Sequence, residues 1–355
     1  LLLLQARIKE LTPEIEEALK ADLNKSPFEA YMTEIGLVLD EISYALKHLK
    51  GWMKARHSKI ALTQMPGRVK RFPEPYGVVL IMSPWNYPFQ LSLNPLVGAI
   101  AAGNTAVLKP SAYSPATTEI LAQLLTVLEP GWVELVTGGR EENRNLLQLN
   151  FDYIFFTGSP AVGHEVMRQA AENLTPLTLE LGGKSPALVS ADADLKLAAR
   201  RIAFGKLVNA GQTCVAPDYV ICEDRVKEAF LELLQAEFSQ VSRDGEYFSE
   251  HFPKIINEKH FERLQAYLHE NPPAYGGKIF PETRQISPAI IDSPPLDSQV
   301  MRDEIFGPIL PVISLPDLDS AVRYIRRQPK PLALYIFSEK KETQRQLLAG
   351  IAFGG

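Results

Sequence analysis

Residues 153–163 read YIFFTGSPAVG, an apolar run followed by a turn with glycine and serine and then by the start of a helical pattern. The apolar run favours a buried β-strand. A helix that starts directly after a strand presents N–H groups and a positive dipole end, which suits a pyrophosphate. Turns of this composition are also common without any ligand, and the usual G-x-G-x-x-G fingerprint of dinucleotide sites is absent from the chain. Both interpretations therefore stay open at this point.

Short apolar runs and longer helical stretches alternate on both sides of this segment. The strand-like runs are 77–82, 105–108, 133–136, 153–156, 177–181 and 187–189. The helical stretches are 94–102, 115–128 and 161–173, and Pro115 suits a first helical turn because its missing N–H is not needed there. Short buried strands separated by helices predict a parallel α/β sheet.

A second alternation starts near Leu195. Its strand-like runs are 219–222, 310–313 and 332–337, and its helical stretches are 226–238 and 260–269. We predict a second α/β domain that begins after Glu180-Leu181-Gly182-Gly183, with the glycine pair as a hinge.

The first 59 residues repeat apolar side chains at helical spacing, which predicts a helical N-terminal segment. Residues 58–75 are richer in proline, glycine and bases, among them Arg68, Lys70 and Arg71. This composition favours a solvated loop or hairpin between the helices and the sheet.

Composition excludes several classes of partner. The chain has 355 residues and a net charge of −5, so it offers no basic field for a nucleic acid. Its two cysteines do not form a disulfide framework, which favours a reducing, cytoplasmic location. No apolar run reaches the roughly 18 residues of a membrane span, and no Cys/His cluster has the spacing of a metal site.

Cys214 lies in NAGQTCVAP, residues 209–217, a small and polar segment ahead of a strand-like run. A cysteine in such a loop is more accessible than one in a core, and an accessible thiol can act as a nucleophile. Most non-disulfide cysteines are instead buried small hydrophobes, and that alternative stays open for Cys214. Cys222 lies inside the apolar run 219–222 and fits this second alternative, the structural role of a buried small hydrophobe.

Three polar residues at strand ends are further candidates. Glu180 ends an apolar run beside two glycines, so it could be a partly desolvated base, or it could pair with Lys184. Asn86 lies in SPWNYPF, residues 83–89, where its amide could stabilise an oxyanion or simply form a turn. Lys109 ends the run 105–108, where it could reach a ribose hydroxyl or remain solvated.

The order of these segments resembles the aldehyde dehydrogenases. The matching segments are PWNYP (84–88), GNTAVLKPS (103–111), FTGS (156–159), LELGGKS (179–185), GQTC (211–214) and EIFGP (304–308). CVAPDY (214–219) and PLALY (331–335) resemble the class 3 and fatty aldehyde branch. Nearly the whole chain takes part in the resemblance.

The resemblance implies an α/β fold with two open parallel domains, one of them a variant Rossmann cofactor domain, and a small oligomerisation hairpin. Residues 1–57 and 73–181 would form the NAD(P)-binding domain, and 58–72 the hairpin. Residues 182–355 would form a catalytic domain that stops short of the family's C-terminal segment.

The resemblance also implies a mechanism. Cys214 would be the nucleophile, Asn86 with the Cys214 backbone N–H the oxyanion hole, and Glu180 the base that activates water. An aldehyde would be oxidised to its carboxylic acid with NAD(P)⁺ through a thiohemiacetal and a thioester on Cys214. Tyr87 and Phe89 would line an apolar entrance that selects medium or long aliphatic or aromatic aldehydes, or would only pack the loop.

The cofactor contacts follow from the same match. We expect them at Ser83, Trp85, Lys109, Ser111, Gly158, Ser159, Val162, Gly163, Leu181, Glu304 and Phe306. Many NAD-preferring relatives carry a glutamate after the KPS segment, whereas this chain has Ala112. NADP would therefore be tolerated, or even preferred, beside NAD.

The resemblance implies a homodimer built partly from residues 58–72. Two other functions compete with the dehydrogenase. A cysteine-dependent acyl transferase or hydrolase would need a histidine partner, and none of the six histidines lies in a segment typical of such a pair. A catalytically silent binding or structural protein would be indicated by loss of Cys214 or Glu180, and both are present.

Overall fold

The computed structural model of the protein describes residues 1–240 and 252–355. The chain forms two compact units. The first comprises Leu1–Asp22 and Pro27–Glu180, and the second comprises Leu23–Ser26 and Leu181–Gly355.

The first unit starts with helices. They are α1 (Leu2–Glu10), α2 (Thr12–Leu23), α3 (Pro27–Ala30), a π-helical turn (Tyr31–Ile35) and α4 (Gly36–Trp52). The helical segment that we predicted to reach residue 59 thus ends at Trp52, because Arg56 already begins the first strand. Strands β1 (Arg56–Ser58) and β2 (Val69–Arg71) pair antiparallel, with a 3-10 turn (Leu62–Gln64) between them.

A five-stranded sheet forms the centre of the first unit, with strand order β5-β4-β3-β6-β7. Its strands are β3 (Val78–Met82), β4 (Thr105–Lys109), β5 (Val133–Leu135), β6 (Tyr153–Gly158) and β7 (Leu177–Leu181). Its helices are α5 (Gln90–Ala101), α6 (Pro115–Leu125), α7 (Arg140–Leu147) and α8 (Pro160–Glu172). Strand β3 pairs parallel with β4 and β6, and β4 pairs parallel with β5, as the alternating pattern predicts.

The second unit contains a six-stranded sheet of order β10-β13-β14-β9-β8-β15. The strands of this sheet are β8 (Pro186–Val189), β9 (Tyr219–Glu223), β10 (Tyr275–Gly276), β13 (Ala289–Asp292), β14 (Ile309–Leu315) and β15 (Tyr335–Phe337). A separate two-stranded antiparallel sheet is formed by β11 (Ile279–Phe280) and β12 (Gln285–Ile286). The helices are α9 (Leu195–Leu207), α10 (Lys227–Ser239), α11 (Glu258–Glu270), α12 (Gln299–Arg302), α13 (Leu318–Arg326) and α14 (Lys341–Gly350), with 3-10 turns at Val208–Gly211 and Asp224–Val226.

Two features of this sheet differ from the sequence-based prediction. The edge strand β10 runs antiparallel to β13, although the other pairings in the sheet are parallel. Strand β15 begins at Tyr335 instead of Leu332, because the backbone before it bonds elsewhere: Leu334 N donates to Gly355 O, and Gly355 N donates to Leu332 O.

Apolar side chains of each unit meet around its sheet. In the first unit α4 and α5 bury residues such as Ile42 and Leu96 completely against the sheet residues Ile81 and Leu108. In the second unit the two faces of the sheet carry separate clusters, one with Ile221 and the other with Val220. Within residues 1–240 and 252–355, no helix has the length and apolar character needed to cross a bilayer.

Candidate active site

Three strands of the first unit end at one edge of its sheet. In the register of the parallel pairs, Met82 of β3 lies opposite Lys109 of β4 and Phe156 of β6. Ser83 follows β3, and its N–H donates to Lys109 O at 3.1 Å. The edge therefore gathers the strand ends that the sequence marked, at the place where parallel α/β sheets bind ligands.

The turn between β6 and α8 combines a close approach with a helix start. A side chain at Gly158 would meet the Phe156 ring at 2.6 Å. Ser159 caps α8, since its Oγ accepts from Val162 N at 3.5 Å, and Val162 is exposed. Gly163 is buried in the first turn. Glycine is therefore required at 158 by the Phe156 ring, and the α8 start that follows is a helix N-terminus, a kind of site where proteins bind phosphate groups.

Lys109 is buried, and its Nζ donates to Pro110 O at 2.9 Å and to Gly138 O at 2.7 Å. Burial lowers the pKa of Lys109, and the nearby Glu142 carboxylate opposes that shift. The ammonium group thus joins the segment after β4 to the segment before α7 instead of projecting into solvent.

The segment after Lys109 carries two of the residues singled out from the sequence. Ser111 is half-buried, and its Oγ accepts from Tyr113 N at 3.2 Å. Ala112 is exposed beside it and adds no carboxylate to this turn.

Asn86 is buried in the loop between β3 and α5, and Trp85 beside it is half-buried. The start of the loop is fixed by a 2.6 Å hydrogen bond between Ser83 Oγ and Ser92 Oγ. Its end is fixed by Glu34, whose Oε2 accepts from Phe89 N at 2.8 Å and from Gln90 N at 3.2 Å.

Sequence reasoning missed Glu34. A single glutamate within a helical pattern gives no local signal that it caps a helix 55 residues further along the chain.

Phe89 has no exposed surface and belongs to the core cluster of the first unit. Of the two roles that the sequence left open for it, packing of the loop is therefore the one found, because a ring enclosed by the core cannot line an entrance. Tyr87 is also buried, with 8% of its surface exposed.

Glu180 lies near the end of β7 and is exposed. Of the two alternatives that the sequence left open for Glu180, partial desolvation is not found, because the residue is exposed and β7 is only half-buried along its length. The alternative pairing with Lys184 is not found either, since Lys184 Nζ makes its salt bridge with Asp218.

Cys214 is half-buried in a turn between α9 and β9. The backbone ahead of it is left-handed at three successive residues, Asn209 (φ 54°), Ala210 (φ 51°) and Gly211 (φ 70°). A Cβ at Gly211 would lie 2.3 Å from Gly307 O, so glycine is required there both by φ and by contact. Strained backbone of this kind persists only where its surroundings enforce it.

Gln212 supplies part of that enforcement. It is completely buried, its Nε2 donates to Asn209 O and to Lys254 O at 3.1 Å each, and its Oε1 accepts from Ile256 N at 3.1 Å. On the other side of the cysteine, Tyr335 Oη donates to Val215 O. Burial, and then the neighbouring Cys214, raise the pKa of Tyr335.

Asp218 ties this turn to the segment that follows α12. Its Oδ1 accepts from Ile305 N at 2.9 Å, and its Oδ2 accepts from Lys184. Lys184 Nζ also donates to Val300 O at 2.7 Å and to Asp303 O at 2.8 Å. These bonds fix the segment that contains Glu304 and Phe306, and Phe306 itself is half-buried with φ 50°.

Glu304 is half-buried, and its Oε1 accepts from Gly183 N at 3.2 Å, two residues beyond the half-buried Leu181. Burial, and then the charge of Asp218, raise the pKa of Glu304 to about 7. A Cβ at Gly182 would lie 2.2 Å from Glu304 Oε2, so the glycine pair admits this carboxylate.

Cys222 lies in β9 and is buried, and burial raises the pKa of its thiol to about 12. It has the structural role that its apolar run indicated. His251, one of the six histidines, lies outside the described residues. The described part of the chain contains no group of three or more His, Cys, Asp or Glu arranged to hold a metal ion.

Two units with parallel sheets, one of them with a helix N-terminus at the carboxyl edge of its sheet, place the protein among the α/β proteins. The family model "Aldehyde dehydrogenase family" matches residues 1–355. The chain therefore belongs to the aldehyde dehydrogenase family, and it is an NAD(P)-dependent oxidoreductase of the aldehyde dehydrogenase type.

Similar proteins also confirm the predicted branch. The chain is 43% identical over 355 residues to 4,4'-diaponeurosporen-aldehyde dehydrogenase of Staphylococcus aureus, and the match covers 99% of this chain and 77% of that protein. It is 46% identical over 344 residues to aldehyde dehydrogenase family 3 member B1 of Mus musculus, and the match covers 96% of this chain and 73% of that protein. The solved substrate-bound state of Staphylococcus aureus AldH superposes on this chain with a TM-score of 0.96 at 42% sequence identity. The match covers 99% of this chain and 78% of that chain.

Proposed function

We propose that the protein oxidises hydrophobic aldehydes, medium or long aliphatic or aromatic, to carboxylic acids through covalent catalysis by Cys214. The observation that carries the proposal is the turn around Cys214, in which left-handed backbone and the buried Gln212 hold a half-buried thiol in one position. Such preorganisation is what a nucleophile needs to approach a carbonyl carbon in a fixed direction.

The proposed steps assign one task to each group. The Cys214 thiolate adds to the aldehyde carbon, and the Asn86 amide with the Cys214 N–H stabilises the resulting oxyanion. When bound, the nicotinamide supplies the hydride acceptor, which leaves a thioester on Cys214. Glu180, exposed near the end of β7, removes a proton from the water that hydrolyses this thioester.

The cofactor would lie along the carboxyl edge of the five-stranded sheet. We assign its pyrophosphate to the turn from Gly158 to Gly163, because that turn carries the helix N-terminus. Ser83, Trp85, Lys109 and Ser111 would flank the adenosine side, and Leu181, Glu304 and Phe306 the nicotinamide side. The exposed Ala112 offers no carboxylate to repel a 2′-phosphate, so binding of NADP as well as NAD is part of the proposal.

Two observations support an apolar substrate. Trp85 and Tyr87 flank Asn86, so aromatic surface adjoins the proposed oxyanion donor. The relatives of the chain include one named for 4,4'-diaponeurosporen-aldehyde.

We further propose a homodimer in which the β1–β2 hairpin contacts the partner. Five of the six residues of the hairpin strands are exposed, all but Ser58, and so are Leu62, Met65 and Phe72 beside them. Residues 42–73 carry eight lysines and arginines and no carboxylate, whereas the whole chain has a net charge of −5. The rest of the chain is therefore acidic, which makes a second copy electrostatically complementary to the hairpin.

A cytoplasmic location is part of the proposal, because a catalytic thiol with one further cysteine in the chain suits a reducing compartment.

The test is absorbance at 340 nm with the purified protein, octanal and NAD or NADP. We expect reduced cofactor to form, Cys214→Ala to abolish it, and Glu180→Gln to give a burst of reduced cofactor without turnover. Cys222→Ala is the matched control and should retain activity, since that thiol is enclosed in β9. Full activity of Cys214→Ala would refute the proposal.

A further inference from the structure

Arg263 lies in α11 and directs both ends of its guanidinium group at the segment that precedes Phe306. Its Nη1 donates to Glu304 O at 3.2 Å, and its Nη2 donates to Ile305 O at 2.7 Å. Arginine presents its donors in a rigid planar fork, whereas lysine offers a single ammonium group on a flexible stem. One side chain therefore holds two successive backbone carbonyls in a geometry that only arginine provides.

The guanidinium group is itself held in place by α11. Arg263 is half-buried, its Nη1 also donates to Tyr267 Oη at 3.0 Å, and its guanidinium carbon lies 5.3 Å from the centre of the Tyr267 ring. Tyr267 is completely buried, and its hydroxyl donates to Asp303 Oδ2 at 2.9 Å. The arginine and the tyrosine lie one helical turn apart, so α11 contacts three successive residues, 303–305.

Further contacts to this segment come from elsewhere in the second unit. Ile305 N donates to Asp218 Oδ1 at 2.9 Å, and Lys184 Nζ donates to Asp303 O at 2.8 Å. The chain then turns through Phe306 with a φ of 50°, a left-handed conformation that is costly for a residue with a bulky side chain. Backbone of this kind persists only where the surrounding contacts enforce it.

The position of the Glu304 carboxylate depends on this backbone. Its Oε1 accepts from Gly183 N at 3.2 Å, and a Cβ at Gly182 would lie 2.2 Å from its Oε2. The carboxylate thus fits closely against the glycine pair. A shift of the backbone that carries it would break that fit and change the direction of the carboxylate.

We propose that Arg263 is a positioning residue, which holds the backbone of Glu304 and Ile305 so that the Glu304 carboxylate is directed at the nicotinamide ribose. This inference rests on the proposed function, because the contact of Glu304 with the cofactor belongs to that proposal. A group that is already ordered in the free protein binds its ligand more tightly, because binding does not have to order it.

The experiment measures the dissociation constants of NAD and of ADP at neutral pH by titration calorimetry. ADP lacks the nicotinamide and its ribose, so it reports only the adenosine and pyrophosphate contacts, which we assign to the first unit. Arg263→Lys keeps the positive charge and removes the fork. We expect it to weaken NAD binding about five- to twentyfold and to leave ADP binding unchanged.

Two further variants accompany it. Tyr267→Phe removes the hydroxyl that bonds both Arg263 and Asp303, and it should weaken NAD binding about two- to fivefold without an effect on ADP. It carries the test if thermal unfolding shows that Arg263→Lys is not folded. Arg326→Lys is the matched control, since Arg326 Nε also donates to a backbone carbonyl of the second unit, Gly350 O at 2.6 Å, and both dissociation constants should stay unchanged.

A double variant tests whether the fork acts through the carboxylate. Glu304→Ala alone should weaken NAD binding. Adding Arg263→Lys to it should cause little further loss, because the carboxylate that the fork positions is gone.

The outcomes distinguish this inference from the proposed function. Unchanged NAD binding in Arg263→Lys, with binding still sensitive to Glu304→Ala, would overturn the role of Arg263 and leave the cofactor assignment standing. Equal losses of NAD and ADP affinity, or an undiminished effect of Arg263→Lys in the Glu304→Ala background, would also overturn it. NAD binding that is insensitive to Glu304→Ala would contradict the assignment of Glu304 to the cofactor itself.

Discussion

The carboxyl edge of the five-stranded sheet and the turn around Cys214 are built in different ways. At the sheet edge, Ser83, Lys109 and Gly158 stand where they do because each follows or ends a strand in one parallel register. At the cysteine turn, the backbone is left-handed, and contacts from far along the chain hold it: Gln212 to Ile256 and Gly211 to Gly307.

This difference teaches which substitutions each region tolerates. A site made from strand ends and a helix N-terminus uses backbone groups that remain after most side-chain changes. A site held by long-range side-chain contacts loses its geometry when a single contact is removed. We therefore expect larger effects from substitutions around Cys214 than from substitutions at the sheet edge.

Gly211→Ala should have the largest effect. The new Cβ would lie 2.3 Å from Gly307 O at a residue with φ 70°, so the turn must rearrange. We expect a loss of about 2–4 kcal/mol in the free energy of unfolding, measured in urea, and loss of aldehyde oxidation. Gly98→Ala in α5, which has open space for a Cβ, should instead be neutral or slightly stabilising. If the two variants changed the free energy of unfolding and the activity equally, the cysteine turn would be no more sensitive to substitution than the first unit.

Asp218→Asn comes next, because it leaves the buried ammonium of Lys184 without its ion partner. Breaking a buried pair from one side costs about 3 kcal/mol, and we expect a comparable loss in urea unfolding together with reduced kcat/KM. The matched change in the first unit is Glu165→Gln, which removes the exposed pair of Glu165 with Arg168 and should cost less than about 1 kcal/mol. A small effect of Asp218→Asn would show that the cysteine turn does not depend on this network.

Glu304→Gln should change the pH dependence of stability. Because burial raises the pKa of Glu304 from 4.5 to about 7, folding favours the protonated acid. That contribution is complete below about pH 4.5 and is lost as the pH rises through 7. Glutamine does not titrate, so the variant does not lose this stability as the pH rises. Between pH 4.5 and 8 the free energy of unfolding of the variant, measured in urea, should therefore rise by up to about 3 kcal/mol relative to that of the original protein.

The pKa of Glu142, near the sheet edge, is shifted in the opposite direction to that of Glu304, so its effect on the pH dependence of stability has the opposite sign. Hydrogen bonds from the backbone N–H groups of Glu142 itself and of Gly139 lower its pKa. Its contribution to the free energy of unfolding is therefore present above its ordinary pKa of 4.5 and is lost as the pH falls. Glu142→Gln should accordingly reduce stability above that pH and have little effect on stability in acid. A common sign for both glutamates would contradict the electrostatic difference between the two regions.

Ser159→Ala should have the smallest effect. Its Oγ accepts a long, exposed hydrogen bond of 3.5 Å, so loss of the cap should cost less than about 1 kcal/mol in thermal unfolding. We expect cofactor affinity to fall only a few-fold, because the backbone N–H groups of α8 remain. Asp194→Ala, which removes the cap of α9, should reduce stability similarly without changing cofactor affinity.

Sequence reasoning worked best where a local pattern decides the structure. Strands β3, β4 and β6 and helix α8 were predicted within a few residues, because their apolar runs and turn residues act over short distances. It worked less well where burial depends on distant neighbours. The exposure of Glu180, the enclosure of Phe89 and the late start of β15 each depend on segments that no local pattern identifies.

The sequence by itself determined the family, the parallel α/β architecture and the choice of Cys214 over Cys222 as the candidate nucleophile. These depend on the order of short motifs and on the polarity of the residues around each one. Only the tertiary structure showed that Glu34 fixes the Asn86 loop, that Asp218 pairs with Lys184, and that Lys206 is completely buried. A charge placed in a packed interior acquires its partners, and hence its protonation state, from residues that only folding brings near it.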